Sequence, residues 1–153
     1  MADDGEARAA LEKMVIDFTE AFNRDDLDEV MSYFADAAIY DEFSGKRHSG
    51  KEAIREAFVP QFRGDFGRIR FHAEEMLLDV DSGQALISWM CTLETADRAG
   101  GWRGLDILRF VDGQLTEKHT YAKTKAPMIV KKDEMAHWPV ATAVADKAGR
   151  HGG

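Results

Sequence analysis

The chain has a single cysteine, Cys91, so an internal disulfide and a cysteine-rich zinc site are both excluded. Cys91 lies in the apolar run ALISWMCTL with no base beside it in sequence, which reads as a small buried hydrophobe rather than a nucleophile. No stretch approaches the roughly 18 uncharged apolar residues of a membrane span. The first residues, MADDGEARAALEK, are acidic and lack the apolar run of an export signal. A cytoplasmic location and no membrane partner are expected.

Positive charge is also scarce. With 20 Lys plus Arg against 28 Asp plus Glu the net charge is −8, and no basic stripe interleaved with aromatics occurs, so a nucleic-acid partner is not expected. The GxGxxG, GxxxxGKS/T, GxSxG and HExxH patterns are missing, as is an EF-hand loop. Five histidines, at 48, 72, 119, 137 and 151, show no metal-ligand spacing. No cofactor and no metal are expected.

What is present is 153 residues, 44% of them apolar, enough for one domain that buries about 70% of its unfolded surface. From Glu6 to Asn23, Leu11, Met14, Val15, Phe18, Ala21 and Phe22 recur at steps of three and four and predict an amphipathic helix. Asp25 or Asp26 can cap a second helix whose stripe is Leu27, Val30, Met31 and Phe34, packed on the first as a hairpin. AAIYDEF (37–43) reads as a short extended segment. Ser49 with Glu52 forms a capping-box pattern for a third helix, SGKEAIREAF, which Pro60 follows.

Beyond Pro60 the apolar period changes from 3.6 to 2, predicting strands at 67–80 (broken near Glu74 and Glu75), 84–95, 101–111 and 114–124. Asp112-Gly113 between the last two is the signal for a type I′ hairpin, whose central residues both need positive φ. Helices first and an antiparallel meander afterwards predict an α+β domain, helices packed on one face of a curved sheet. This domain is assigned to residues 1–127. Residues 128–153 read as a C-terminal extension, partly mobile.

Alternation in GWRGLDILRFV sets Asp106 on one face with Trp102, Gly104, Leu108 and Phe110. A carboxyl among apolar neighbours is favoured in its neutral form and can act as acid, donor or tuned base. In LTEKHTYAK, Lys118 and Thr120 share one face, His119 and Tyr121 the other, and the sequence leaves open which looks inward. If Lys118 shares the cavity with Asp106, each holds the other charged; in the reverse case His119 becomes an acid/base candidate. Tyr40 and Glu42 share a face of the first extended segment, as a phenol donor and a carboxylate base would, with Asp41 opposite. Phe18, Phe22, Trp89, Met90 and Trp102 are the candidate walls of a ligand pocket, with Thr120 beside them.

FTEAFNRDDLDEVMSYFADAAIYDEF, the SGKEAIREAF helix and WRGLDILRFVDGQLTE together resemble SnoaL-like and ketosteroid-isomerase-like proteins of the nuclear-transport-factor-two-like superfamily, over about residues 8–124. The resemblance implies a cone-shaped α+β barrel with a deep apolar pocket, commonly in a homodimer. It sets Glu42 at the general-base Asp of ketosteroid isomerase and Asp106 at the protonated Asp of its oxyanion hole. Phe18 stands at that enzyme's oxyanion-hole Tyr, and the phenol is lost. Tyr40 matches a pocket tyrosine of limonene-epoxide-hydrolase-like members, whose Arg and second Asp are replaced by Gly104 and Thr120. The reading that results is a proton-transfer enzyme, an isomerase, cyclase or dehydratase acting on an apolar carbonyl compound. Glu42 is then the base and a neutral Asp106 the oxyanion donor, with Tyr40 assisting and Lys118 at the same site. The alternatives are an epoxide hydrolase, or a binding or assembly module without catalysis, in which Lys118 locks Asp106 and the pocket is filled or too narrow.

Overall fold

The computed structural model describes residues 3–123 together with Lys131 and Asp133. The expected extension at 128–153 lies outside these residues apart from those two. Helix α1 spans Asp4–Asn23, capped by the Asp3 carboxylate, which accepts from the Glu6 backbone N–H at 2.7 Å. Its stripe of Leu11, Val15, Phe18 and Phe22 is buried. Asp25 takes a positive φ of 56° and Asp26 caps the six-residue α2, Leu27–Ser32. The chain then turns directly into strand β1, Phe34–Asp41. Phe34 therefore opens a strand instead of closing the second helix, although its side chain is fully buried as the apolar stripe requires.

A three-residue strand, β2 (Arg47–Ser49), precedes α3, Lys51–Arg63. Ser49 does not cap α3. It pairs with Ile39 in the sheet, Gly50 donates its N–H to the Ala38 carbonyl, and Gly50 becomes the cap residue without a side-chain bond. The helix also runs through Pro60 to Arg63, whereas the sequence pattern sets Pro60 after its end. Pro60 offers no N–H to the carbonyl of Glu56, and Glu56 is exposed, where solvent can reach that carbonyl.

The meander follows as β3 (Arg68–Asp79), β4 (Gln84–Glu94), β5 (Ala99–Val111) and β6 (Gln114–Ala122). Asp112 and Gly113 have φ of 51° and 78°, as the type I′ turn demands. A register shift between Ala73 and Glu75 marks the expected break in β3. The six strands form one curled, open sheet in the order β2-β1-β6-β5-β4-β3, and only β1 with β6 is a parallel pair. At the β3 edge the Asn23 side chain exchanges two 2.8 Å hydrogen bonds with the Phe71 backbone, tying the end of α1 to the sheet.

The core lies between the helices and the concave face of the sheet. Phe18 meets Phe22, Phe34 and Tyr33 edge-on at centroid distances of 5.2, 5.6 and 5.6 Å. Burying one such ring contributes about 1.5–3 kcal/mol and each aromatic pair about 0.5–1.5 more, so this cluster anchors α1 to the sheet. Among the described residues no helix is long and apolar enough to cross a membrane.

Candidate active site

A cavity of about 450 Å³ opens between α1, α3 and the concave sheet. Phe18, Phe22, Phe58, Phe71, Trp89 and Trp102 supply most of its wall, with half-exposed Phe43 and Phe66 also lining it. This is the size of a small-molecule site, largely apolar with a few convergent polar groups. Four of the expected wall residues, Phe18, Phe22, Trp89 and Trp102, are in place, as is Thr120. Met90 is not: the strand alternation that aims Trp89 inward aims Met90 at the opposite face.

The polar groups arise from neighbouring rows of the sheet. Asp106 pairs in register with Thr120 across β5 and β6, and the next inward row sets Lys118 between Leu108 on β5 and Tyr40 on β1. Lys118 thus takes the inward face of β6, and both it and Asp106 are buried, at 4% and 6% exposure. Lys118 Nζ donates to Asp106 Oδ1 at 3.0 Å and to Thr120 Oγ1 at 2.6 Å. The Thr120 hydroxyl donates in turn to Asp106 Oδ1 at 2.6 Å, and Trp89 Nε1 donates to Asp106 Oδ2 at 3.2 Å. Both carboxylate oxygens are therefore occupied as acceptors. The ammonium lines the cavity and lies 4.6 Å from the Tyr40 ring centroid, with the Phe22 and Phe58 centroids at 5.8 and 5.9 Å.

Burial pushes the Tyr40 phenol far above its ordinary value, with the Asp106 and Glu42 carboxylates adding to the effect and a Thr120 hydrogen bond opposing it. Tyr40 is consequently a neutral donor. Burial alone lifts the Cys91 thiol to about 11. Cys91 lines the cavity as a thiol, in line with its reading as a small hydrophobe.

Glu42, just beyond β1, also lines the cavity, and accepts from Ser44 Oγ at 3.1 Å. Its other neighbour is His48 on β2, with Nε2 3.3 Å from Glu42 Oε2. Asp41 points to the convex face, where Arg47 grips it at 2.6 and 2.8 Å and His119 Nδ1 lies 2.8 Å away. Burial raises the Asp41 carboxyl, but the hydrogen bonds from Arg47 and His119 outweigh it and hold the group below the usual carboxylate range. With Lys118 inward, His119 is outside the cavity.

Two functional arrangements escaped the sequence reading. One is the Trp89 indole as a hydrogen-bond donor to Asp106, made possible because Gly104 has no side chain beneath the ring. A glycine inside an otherwise alternating strand was the available signal. The other is His48 beside Glu42, on a strand too short to show any period.

The family model for the SnoaL-like domain matches residues 15–118. The chain belongs to the SnoaL-like family. A proposed polyketide cyclase from Xanthomonas campestris pv. campestris superposes with a TM-score of 0.67 at 20% identity, covering 76% of this chain and 93% of that one. SalBIII, an epoxide hydrolase/cyclase-like enzyme of pyran ring formation in polyether salinomycin, gives 0.67 at 13% identity over 76% and 93%. A protein of unknown function with a cystatin-like fold from Methylobium petroleophilum PM1 gives 0.64 at 17% identity over 89% and 95%. At such identities the SnoaL-like likeness to these structures is one of fold. No curated protein is similar to the chain in sequence.

Proposed function

We propose that this SnoaL-like protein is a proton-transfer enzyme for an apolar carbonyl compound, of the isomerase, cyclase or dehydratase type. The observation that carries the reading is one ion pair, Lys118 with Asp106, buried at an aromatic cavity of ligand size. Fold neighbours described as a proposed polyketide cyclase and an epoxide hydrolase/cyclase-like enzyme support an enzymatic use of such a cavity. Glu42 removes a proton from the carbon α to the carbonyl, and charge moves to the carbonyl oxygen. The donor to that oxygen is Lys118, assisted by the Tyr40 phenol. The sequence makes Asp106 a neutral donor, but with Trp89, Lys118 and Thr120 all donating to it, its role is to fix and aim the Lys118 ammonium.

A ketone that need not be the natural substrate tests this. In D2O the wild type exchanges the α-hydrogens of 2-tetralone, read by proton NMR, and Glu42→Gln and Lys118→Met each lower the rate by about 100-fold or more. Exchange unaffected by either change sinks the mechanism. The second reading, a binding module, is favoured by the locking of Asp106 to Lys118 but not by the open volume of the cavity. It predicts saturable tetralone binding with no exchange.

The finer partner assignment is a homodimer through the convex sheet face. Leu77, Leu86 and Ile107 form one cross-strand row there, beside Leu105 and an exposed Tyr121. Two of the bordering arginines are paired within the chain, Arg103 with Glu74 and Arg109 with Glu117, around an apolar patch that a second copy covers isologously.

A further inference from the structure

The Glu42 carboxylate is addressed from two sides, and on the same oxygen. Ser44 donates its hydroxyl to Oε2 at 3.1 Å, and His48 Nε2 stands 3.3 Å from that oxygen. Each neighbour is itself held in place. Ser44 rides a tight turn in which the Glu42 N–H donates to the Lys46 carbonyl and the Gly45 N–H to the Glu42 carbonyl, both at 2.9 Å, with Gly45 at a φ of 88°. His48 pairs with Tyr40 in the β1–β2 register and stacks on its ring, centroids 5.6 Å apart and planes at 26°, which leaves 12% of the side chain exposed. Its Nε2 is buried and has no aligned hydrogen-bond partner. A bare lone pair there would face a carboxylate oxygen across 3.3 Å, so the ring proton belongs on Nε2, where its positive end meets Oε2. Oε1 has no protein partner among the described residues, and Glu42 lines the cavity.

We propose that Ser44 and His48 are positioning residues that pin Oε2 and so leave Oε1 as the one oxygen that takes the substrate proton. The proposal rests on Glu42 serving as the base. A glutamate side chain turns about several single bonds, and proton abstraction needs the acceptor oxygen within hydrogen-bond reach of one C–H bond. With Oε2 tethered at two points, the carboxyl plane is set before a ligand arrives, and its ordering belongs to folding instead of to each turnover. In the step itself the bond from the α carbon to hydrogen breaks, Oε1–H forms, and the electron pair moves to the carbonyl oxygen beside Lys118 and Tyr40. The Glu42 side chain is 26% exposed, so the acid formed exchanges with solvent directly, without an intermediary. Donors on a carboxylate also stabilise its charged form, which alone slows proton capture. Orientation outweighs this, since misplacing a reacting group by about 1 Å costs on the order of 100-fold.

Exchange of the α-hydrogens of 2-tetralone in D2O reads the effect. Ser44→Ala and His48→Phe each lower the maximal rate about tenfold, the worth of one hydrogen bond to a charged group, while the half-saturating ketone concentration stays the same. A rate that is unchanged or raised in Ser44→Ala overturns the proposal. Two histidine variants separate positioning from packing: Phe keeps a ring against Tyr40 but has no N–H, whereas Gln gives up the ring and presents an amide N–H near the place of Nε2. Pinning requires His48→Gln to exchange severalfold faster than His48→Phe. Equal rates, or the reverse order that a purely packing role gives, overturn it. An arm independent of catalysis uses nitrogen-15 NMR of the ligand-free wild type at about pH 9, where imidazoles are ordinarily neutral. A proton on His48 Nε2 is the expected result, and a bare Nε2 overturns the pin. Wild-type protein that leaves tetralone unexchanged refutes the base role of Glu42 by itself, and the nitrogen spectrum then decides whether His48 holds that carboxylate.

Discussion

The Trp89 indole lies over Gly104, so close that a Cβ placed on the glycine would fall 2.5 Å from a ring carbon. The same ring donates its Nε1–H to Asp106. The glycine therefore determines where the acid's hydrogen-bond donor can stand. Gly104→Ala is expected to expel the indole from this position, at about 1–3 kcal/mol for the overpacking. A lowered melting temperature together with a shifted tryptophan emission spectrum checks it; unchanged emission refutes the close packing.

The Asp106–Lys118 pair makes an energetic prediction of its own. Removing one member leaves the other charge buried without a partner, so Asp106→Asn or Lys118→Met should each cost about 3–5 kcal/mol in denaturant unfolding. The double variant should recover most of that loss, since no unpaired charge remains. Additive losses in the double-mutant cycle contradict the ion pair.

Asp41 carries an acid-side prediction. Its folded value lies below the ordinary 3.8, so its stabilisation is present above that pH and is lost as pH falls through the lower folded value. Asp41→Asn removes this contribution. The melting-temperature gap between wild type and variant should be open near neutrality and narrow as pH falls below 3.8. A gap independent of pH rules out the carboxylate as its source.

For the convex face, Ile107→Glu introduces a charge in the centre of the apolar row. Sedimentation velocity should show wild-type dimer and variant monomer. Wild-type monomer at tens of micromolar removes the homodimer.

Local signals carried much of the architecture. The helical stripe of α1 and the Asp112-Gly113 turn depend on neighbouring residues only, and both formed as read. Ser49 was misassigned because a cap and a strand pairing compete for the same backbone, and the pairing with Ile39 prevailed. Pro60 misled because its cost depends on whether the orphaned carbonyl meets water, which tertiary structure decides. Within the site, alternation aligned Asp106 with an inward face and Lys118 with Thr120. It could not say which face of β6 looks inward, because that depends on parallel pairing with β1, more than 70 residues earlier. The Leu115 side chain faces inward only through a register shift between Arg109 and Phe110, which no simple period anticipates.

That single parallel pairing also sets when the cavity comes into being. Tyr40 and Glu42 come from the first third of the chain, Asp106, Lys118 and Thr120 from its last strands, and only the β1–β6 seam unites them. Such a non-local closure comes at an entropic cost that local helices and hairpins do not bear, so it belongs to the late stages of assembly. A chain lacking β6 would retain its aromatic wall but have neither Lys118 nor Thr120 beside Asp106. A ligand held between the two halves would act as a clasp across that seam, so its binding would report completed folding.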